Sequence, residues 1–586
     1  MHSTYKTCYN IENVYRGIKV NSFKILPSVD PTQEFIEIAY DFSNPLDLVR
    51  EAISNAFDAG AKNIEILFDV VSDCGEKILI TTIRDDGHGM NANGLQSFFD
   101  LGNSQRRDNP TAIGEKGHGT KVYLNSAKIE VVTFFQGTKY YAVMDSPSRK
   151  LHNREMPEVS VQSEETLDKN GTTIIITGYN HNRRSEFTHS NVKDYIKWFT
   201  KMGSFETEFS INKYKDVSLV LKGIDIAEPE IIPFGHVFPN NSKNVSALFD
   251  EYLVDAPKWY CKKIIRSGSL DSFPEIKYDA IFCVEGTKVK YEYNPMIRHG
   301  GYSAPKGAYT ISERYGLWIC KDFIPIQRKN DWITQKGSEY TRFHAFINCQ
   351  DLRLTANRSS VENTPSEVLS ELKTVVERIY TEITEGNDWR DLDWLESQAQ
   401  SFNTIEKEKK DFTWRLERVK SSRIAVFNGI RLVEPKRESG VFSLFMQLDS
   451  MDPKLFPFSI IDYDTYSGID VIVKANDSIP IVTSKLYYIE FKYYLQKQFN
   501  HSFENLHSII CWDIDTKSIK HNDEIEDIAG ERRTLKIITR ANNNDYTRYF
   551  LGDLRCSRKI EIFVLKQYLD EKCGITFRAR TDQDPL

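Results

Sequence analysis

Residues 51–60, EAISNAFDAG, read together with RDDGHGM at 84–90, decide the fold of this chain. Glu51, Asn55 and Asp58 stand at i, i+4 and i+7, which on a helix of about 3.6 residues per turn is one face. The helical stretch runs from about Leu46 to Ala59. Solvated amphipathic helices produce such spacing often, so the segments that follow carry the argument. The apolar strand KILITTIR leads straight into Asp85-Asp86-Gly87-His88-Gly89-Met90. An acidic side chain therefore sits at a strand end where two glycines let the backbone turn and approach a ligand closely. Further on, Gly114-Glu115-Lys116-Gly117-His118-Gly119-Thr120-Lys121 places three glycines ahead of a helix-like VYLNSA. Backbone N–H groups in such loops cradle phosphate. The loop matches neither the P-loop nor the Rossmann fingerprint, since the GK[ST] ending and the ribose-binding acid are both missing.

Working outward, strands at Asn63 to Val70 and Lys77 to Arg84 alternate with helices over residues 32 to about 185, an α/β layer pattern. The ordered set ExxxNxxDA, DxGxGM, GxxGxGxK and Gly171-Thr172-Thr173 resembles the ATP-binding domain of the GHKL (Bergerat-fold) superfamily, which holds gyrase B, heat-shock chaperones, MutL, MORC proteins and histidine kinases. The resemblance covers about residues 30 to 185. It implies ATP and Mg²⁺ as ligands, with Glu51 as general base for the attacking water and Asn55 on the ATP-bound Mg²⁺. By the same resemblance Asp58 joins the binding face, Asp85 rather than Asp86 reads adenine, and Gly87, Gly89 and Met90 allow that approach. Gly114, Gly117, Gly119 and Thr120 form the lid, Lys121 binds phosphate, and Thr172 or Thr173 closes the adenine site. A Glu at position 51 separates hydrolases from the histidine kinases of the superfamily. Glu115 and Lys116 depart from the arginine or glutamine and aromatic that relatives often carry. His88 and His118 read as solvent-facing fillers of glycine turns.

A second block, residues 196–386, mixes strands such as AIFCV and HAFINC with a closing helix in which Val368, Leu369, Leu372, Val375, Val376, Ile379 and Ile383 recur at three- and four-residue spacing. It resembles the transducer of multidomain GHKL hydrolases, whose added cation reaches the γ-phosphate. In DLRLTANRSSVEN that cation is Arg358; in PIQRKNDW, Arg328 and Lys329 are alternatives. Residues 387–422 form a charged helical connector.

The third block, residues 423–586, carries YSGIDVIVKANDSIPIVTSKLYYIEFKYYL, two apolar strands with Asp470 on the first and Glu490-Phe491-Lys492 on the second. Alternation puts Glu490 and Lys492 on one face. Two acids from adjacent strands can share Mg²⁺ while a lysine orients water, as phosphodiester hydrolysis needs. The pattern resembles the PD-(D/E)xK restriction-endonuclease-like fold, with a helix expected at FNHSFENL and a buried strand at HSIICW. Glu438 is a candidate helix acid, Asp462 and Asp464 are rival metal ligands, and His501 lies nearby in sequence.

Length agrees with several cores: 586 residues at about 150 per domain make three or four. With 34 Phe and 29 Tyr the chain holds too many buriable rings to be disordered. The formal charge is −7, and from residue 401 onward 29 Lys and Arg face 28 Asp and Glu, which leaves a local nucleic-acid groove open as a possibility. Nine scattered cysteines without a CxxC pair read as reduced core thiols. No apolar run reaches membrane-helix length and the first residues lack a signal-peptide pattern, which predicts a cytoplasmic protein.

The expected architecture is α+β multidomain: a Bergerat α/β sandwich at residues 1–195, a transducer-like α/β domain, a helical connector and a restriction-endonuclease-like α/β domain. The expected function is an ATPase whose nucleotide-driven homodimerisation controls DNA cleavage, in prokaryotic antiphage defence or restriction, with a further partner subunit possible and no membrane. The alternatives are a MORC-like DNA clamp with a non-cleaving C-terminal domain and a heat-shock-type chaperone.

Overall fold

The computed structural model describes residues 11–15, 18–22, 24–27, 29–40, 42, 44–73, 75–101, 119–333, 337–355, 358–464, 471–515, 517–542, 545–552, 558–581 and 584. The chain divides into two compact units, Met1–Asn403 and Thr404–Leu586.

In the first unit an eight-stranded sheet runs in the order Glu230–Pro233, Ser218–Lys222, Asn63–Asp73, Glu76–Asp85, Gly171–Thr177, Lys128–Phe135, Thr138–Asp145, Val159–Glu165. All neighbours are antiparallel except Asn63–Asp73 with Ser218–Lys222. Strand alternation sends Leu79, Thr81 and Ile83 inward, where they meet a helical layer. That layer includes the helix Asp47–Asp58, which buries Leu48, Val49, Ala52, Ile53, Ala56 and Phe57. The helix stops because Gly60, at φ +73°, takes the left-handed conformation that turns the chain back, with Ala61 N–H bonding Ala56 O at 3.0 Å.

A five-stranded sheet follows in the order Cys261–Ser269, Lys277–Glu285, Phe343–Cys349, Gly316–Lys321, Ile324–Arg328. The helix Ser366–Thr384 covers it, burying Val368, Leu372, Val375, Val376, Ile379, Tyr380 and Ile383, the stripe its periodicity announces. A single helix, Asn387–Lys420, comes next. It buries Leu392, Leu395 and Ala399 and then becomes polar.

The second unit is a sheet in the order Phe458–Tyr463, Val471–Ala475, Leu486–Leu495, Leu506–Ile514, Ile560–Val564, Arg548–Gly552, Arg532–Ile538, Glu524–Glu526. Leu486–Leu495, Leu506–Ile514 and Ile560–Val564 run parallel at its centre. The helix Glu438–Met451 packs beside them, burying Val441, Leu444, Phe445 and Leu448.

One expected element is absent: FNHSFENL is not a helix. Its backbone is committed elsewhere. Phe499 N–H donates to Glu526 O at 2.7 Å and Phe503 N–H to an Asp527 carboxylate oxygen at 2.8 Å. The Phe499 and Phe503 rings stack 5.5 Å apart in the core between Leu506–Ile514 and the outer strands. Two apolar residues four apart imitate a helix stripe when an irregular segment buries both.

Among the described residues, no helix is long and apolar enough to cross a membrane.

Candidate functional site

Two adjacent acids end the strand Glu76–Asp85, and the fold gives them different work. Asp86 Oδ1 accepts the Lys62 and Asn63 N–H groups at 2.7 and 2.9 Å, and its Oδ2 accepts Asn63 Nδ2 at 2.7 Å. It ties the start of one strand to the end of the next, and these bonds hold its carboxyl below the usual carboxylate range although partial burial opposes them. Asp85 instead lines a cavity of about 400 Å³. Burial pushes its carboxyl up to about 6, against a Gly87 N–H that donates to Oδ1 at 2.9 Å.

The glycines around this acid are there for contact. A Cβ on Gly87 would meet Ala59 Cβ at 2.7 Å, so Gly87 seats the turn under the helix end and does not itself line the cavity. Gly89, at φ +74°, lines it, and a Cβ there would stand 2.0 Å from Phe134 O. Met90 lines it as well, its N–H held at 2.8 Å by the buried Thr133 hydroxyl. Thr133 Oγ1 also lies 3.1 Å from Thr172 Oγ1.

Helix Asp47–Asp58 brings Glu51 and Asn55 to the same cavity. Glu51 is only 7 % exposed. Its Oε1 faces Arg50 Nε and Nη2, both at 3.4 Å, and Arg50 reaches Asp47 Oδ1 at 3.1 Å. Oε2 lies against the turn Gly119–Leu124: a Cβ on Gly119 would fall 1.9 Å from it. A residue with any side chain at 119 would displace this carboxylate. Asn55 is half-buried, and its Nδ2 is fully enclosed with no hydrogen-bond partner among the described residues.

Residues 44–172 match the family model of histidine kinase-, DNA gyrase B-, and HSP90-like ATPases. The chain carries a GHKL-type ATPase domain. No curated protein matches the chain.

Within the GHKL domain, Glu51, Asn55, Asp85, Gly89, Met90, Gly119, Thr120 and Thr172 line one cavity, as does the exposed His88. Thr173 does not, since alternation along Gly171–Thr177 gives the cavity Thr172 and Ile174. Asp58, at the last position of its helix, is also outside the lining. Lys121 needs a correction: it is 1 % exposed, and its Nζ donates to Phe98 O at 2.9 Å and Thr120 Oγ1 at 2.7 Å instead of entering the cavity. Gly114, Glu115, Lys116, Gly117 and His118 lie outside the described residues.

Sequence reasoning missed Thr133, Phe135, Asn91, Ser97 and Phe98. All but Thr133 line the cavity, and Thr133 orders its wall. Lys128–Phe135 carries no motif, and its role emerges only from pairing Thr133 with Thr172 across two strands.

None of the three second-block cations lines the cavity. Arg358, at φ +57°, pairs with Asp322 Oδ2 at 3.0 Å. Arg328 donates to Ser312 O at 2.7 Å, and Lys329 precedes the turn Asn330–Trp332.

In the second unit Glu490 is 2 % exposed on a central strand. Lys492 Nζ lies 2.7 Å from Glu490 Oε1 and 3.5 Å from Glu438 Oε2, and His501 Nε2 lies 3.1 Å from Glu490 Oε1. Glu438 and His501 thus join the pair. Asp462 is exposed on Phe458–Tyr463, Asp464 follows that strand, and Asp470 lies outside the described residues. Among the described residues no three His, Cys, Asp or Glu side chains gather as a metal site requires.

Proposed function

We propose that this chain binds ATP in the cavity of its GHKL domain and hydrolyses it to ADP and phosphate. The observation that carries the reading is the buried Glu51 carboxylate set against Gly119 in the cavity that Asp85 also lines. At neutral pH an acid with a pKa near 6 is mostly ionised, so Asp85 can accept from the exocyclic amine of adenine. Thr172 and Met90 would flank the base. Arg50 engages Glu51 Oε1 and leaves Oε2, the oxygen beside Gly119, to take the proton of the attacking water. Asn55 fits a Mg²⁺ site by the chemistry of its side chain, because its amide lines the cavity with Glu51 and carries a carbonyl oxygen of the kind Mg²⁺ takes. Bound there, Mg²⁺ would neutralise phosphate charge.

The proposal extends to the second unit: a Mg²⁺-dependent DNA-cleaving domain, gated by ATP-driven dimerisation of the GHKL heads in a cytoplasmic restriction or antiphage system. Support comes from Glu490, buried on a central strand beside Lys492 and His501, with the exposed Glu438 of the helix Glu438–Met451 3.5 Å from Lys492; burying such a glutamate is costly without a function. Glu438 and Glu490 alone do not make a metal site, and no step through a metal is derived there. Dimerisation, gating, Arg358 or Lys329 as phosphate sensors, and the defence setting rest on the sequence resemblance.

Purified wild type, Glu51→Ala and Lys492→Ala, incubated with plasmid or single-stranded DNA and Mg²⁺ with and without ATP, test this. The expected result is cleavage by wild type, none by Lys492→Ala, and altered ATP dependence in Glu51→Ala. ATP hydrolysis with intact DNA under every condition would instead favour the clamp or chaperone reading.

A further inference from the structure

The GHKL domain holds a second cavity, of about 620 Å³, at the other end of its sheet. The strands Lys128–Phe135 and Gly171–Thr177 run between the two: Phe135 and Thr172 line the first cavity, Ala127 and Thr177 the second. At about 3.3 Å per residue the separation is roughly 20 Å. The two sites are therefore distinct, and the inference does not depend on what the first one binds.

Four segments surround this space: Glu76 and Ile78 belong to the strand Glu76–Asp85, and the other three bring most of the polar side chains, next to the apolar Ile78 and Ala127. Asn125 and Ser126 come from the chain leaving the turn Gly119–Leu124; Ser146, Ser148, Arg149 and His152 come from the segment after Thr138–Asp145; His181 and Asn182 come from the loop after Gly171–Thr177. Glu76 is the acidic residue of the lining, which it shares with Arg149, His152 and His181.

Ser126 is 2 % exposed, and its Oγ has no hydrogen-bond partner among the described residues; neither has Asn125 Oδ1. A buried hydroxyl left unbonded is costly, and a ligand in the cavity it lines would satisfy it. Other groups are already fixed for the purpose. Arg149 Nη2 donates to Ser146 Oγ at 3.3 Å, His152 Nδ1 lies 2.7 Å from Ser148 O, and Asn182 Oδ1 accepts the Leu79 N–H at 2.7 Å. Ser146, Asn180, His181 and Asn182 all adopt φ between +51° and +62°, a conformation that non-glycine residues hold only where the surroundings impose it.

We infer that this second cavity binds a small phosphorylated molecule, with its phosphate held between Arg149 and the Ser126, Ser146 and Ser148 hydroxyls. Phosphate suits the cavity better than carboxylate. Its oxygens point in four directions and can meet donors arriving from three segments, whereas a carboxylate offers two oxygens in one plane. The volume leaves room for a sugar-sized body next to Asn125, Asn182 and His181.

Titration calorimetry on the full chain, with inorganic phosphate, ribose 5-phosphate, ribose and a ten-nucleotide single-stranded DNA as probes, tests the inference. Wild type should bind ribose 5-phosphate more tightly than phosphate, and ribose weakly or not at all. Arg149→Glu, an exposed position where folding can be verified by thermal unfolding, should weaken both phosphate probes at least tenfold. It should leave binding of a non-hydrolysable ATP analogue unchanged, and Arg149→Lys should recover part of the loss. Equal affinity in wild type and Arg149→Glu, no phosphate binding, or displacement of the phosphate by the ATP analogue would overturn the inference. Binding of the oligonucleotide alone would overturn it too, marking a nucleic-acid surface instead.

Discussion

Asp85, proposed as the adenine-reading acid, is buried at a cost in stability. Burial raises its pKa in the folded chain from an ordinary 3.8 to about 6, so between those values the folded state keeps a proton that the unfolded state has lost. Its contribution to stability therefore falls as pH rises through that window and stays low above it. Asp85→Asn keeps an acceptor for the Gly87 N–H and removes the buried charge. The variant should gain stability over wild type at pH 8, by at most about 3 kcal/mol, and gain almost nothing at pH 4. Its nucleotide affinity should fall more than tenfold. Thermal unfolding at the two pH values, paired with nucleotide titration, checks this, and a gain of equal size at both would contradict it. In sequence, the choice between Asp85 and Asp86 rests on the resemblance to the GHKL pattern alone. In the structure Asp86 is used up by Lys62 and Asn63, and Asp85 lines the cavity.

At the scale of elements, amphipathic periodicity was readable wherever one face alone meets the core. Ser366–Thr384 is such a helix, and so is the strand Glu76–Asp85. It misled at FNHSFENL, where both phenylalanines are buried by an irregular segment that hydrogen-bonds to the chain around Glu526 and Asp527. Lys121 misled differently: its motif says phosphate, but the turn Gly119–Leu124 aims its ammonium at the carbonyl of Phe98, at the end of the helix Ala92–Phe99. Burial lowers its pKa to about 7, partly offset by Asp100. Between pH 7 and 10.5 the unfolded chain binds the extra proton, so the lysine's penalty is full below 7 and fades as pH rises. The stability of wild type relative to Lys121→Met should accordingly increase from pH 7 to pH 10 in denaturant titrations. A constant difference would show that Lys121 is not buried as charge in the folded chain.

For the whole molecule, the sequence indicated the GHKL domain directly and left any coupling between the units unspecified. Motifs are local and survive without a partner, whereas coupling depends on contacts that no spacing encodes. Glu51, Asn55, Asp85, Gly89, Met90, Gly119, Thr120 and Thr172 line one cavity, while Arg358 is held by Asp322 and neither it nor Lys329 lines that cavity. Lys492→Ala should leave ATP turnover within about twofold of wild type if the two chemistries occupy separate units, and a larger loss would contradict that separation. Glu51 is proposed as the base of an ATP-hydrolysing site. The most direct measurement compares phosphate release and nucleotide affinity in wild type and Glu51→Gln. The account predicts nucleotide affinity within a fewfold of wild type and turnover reduced by about 10²-fold or more. Turnover at the wild-type rate in Glu51→Gln, or no ATP binding by wild type, would contradict it.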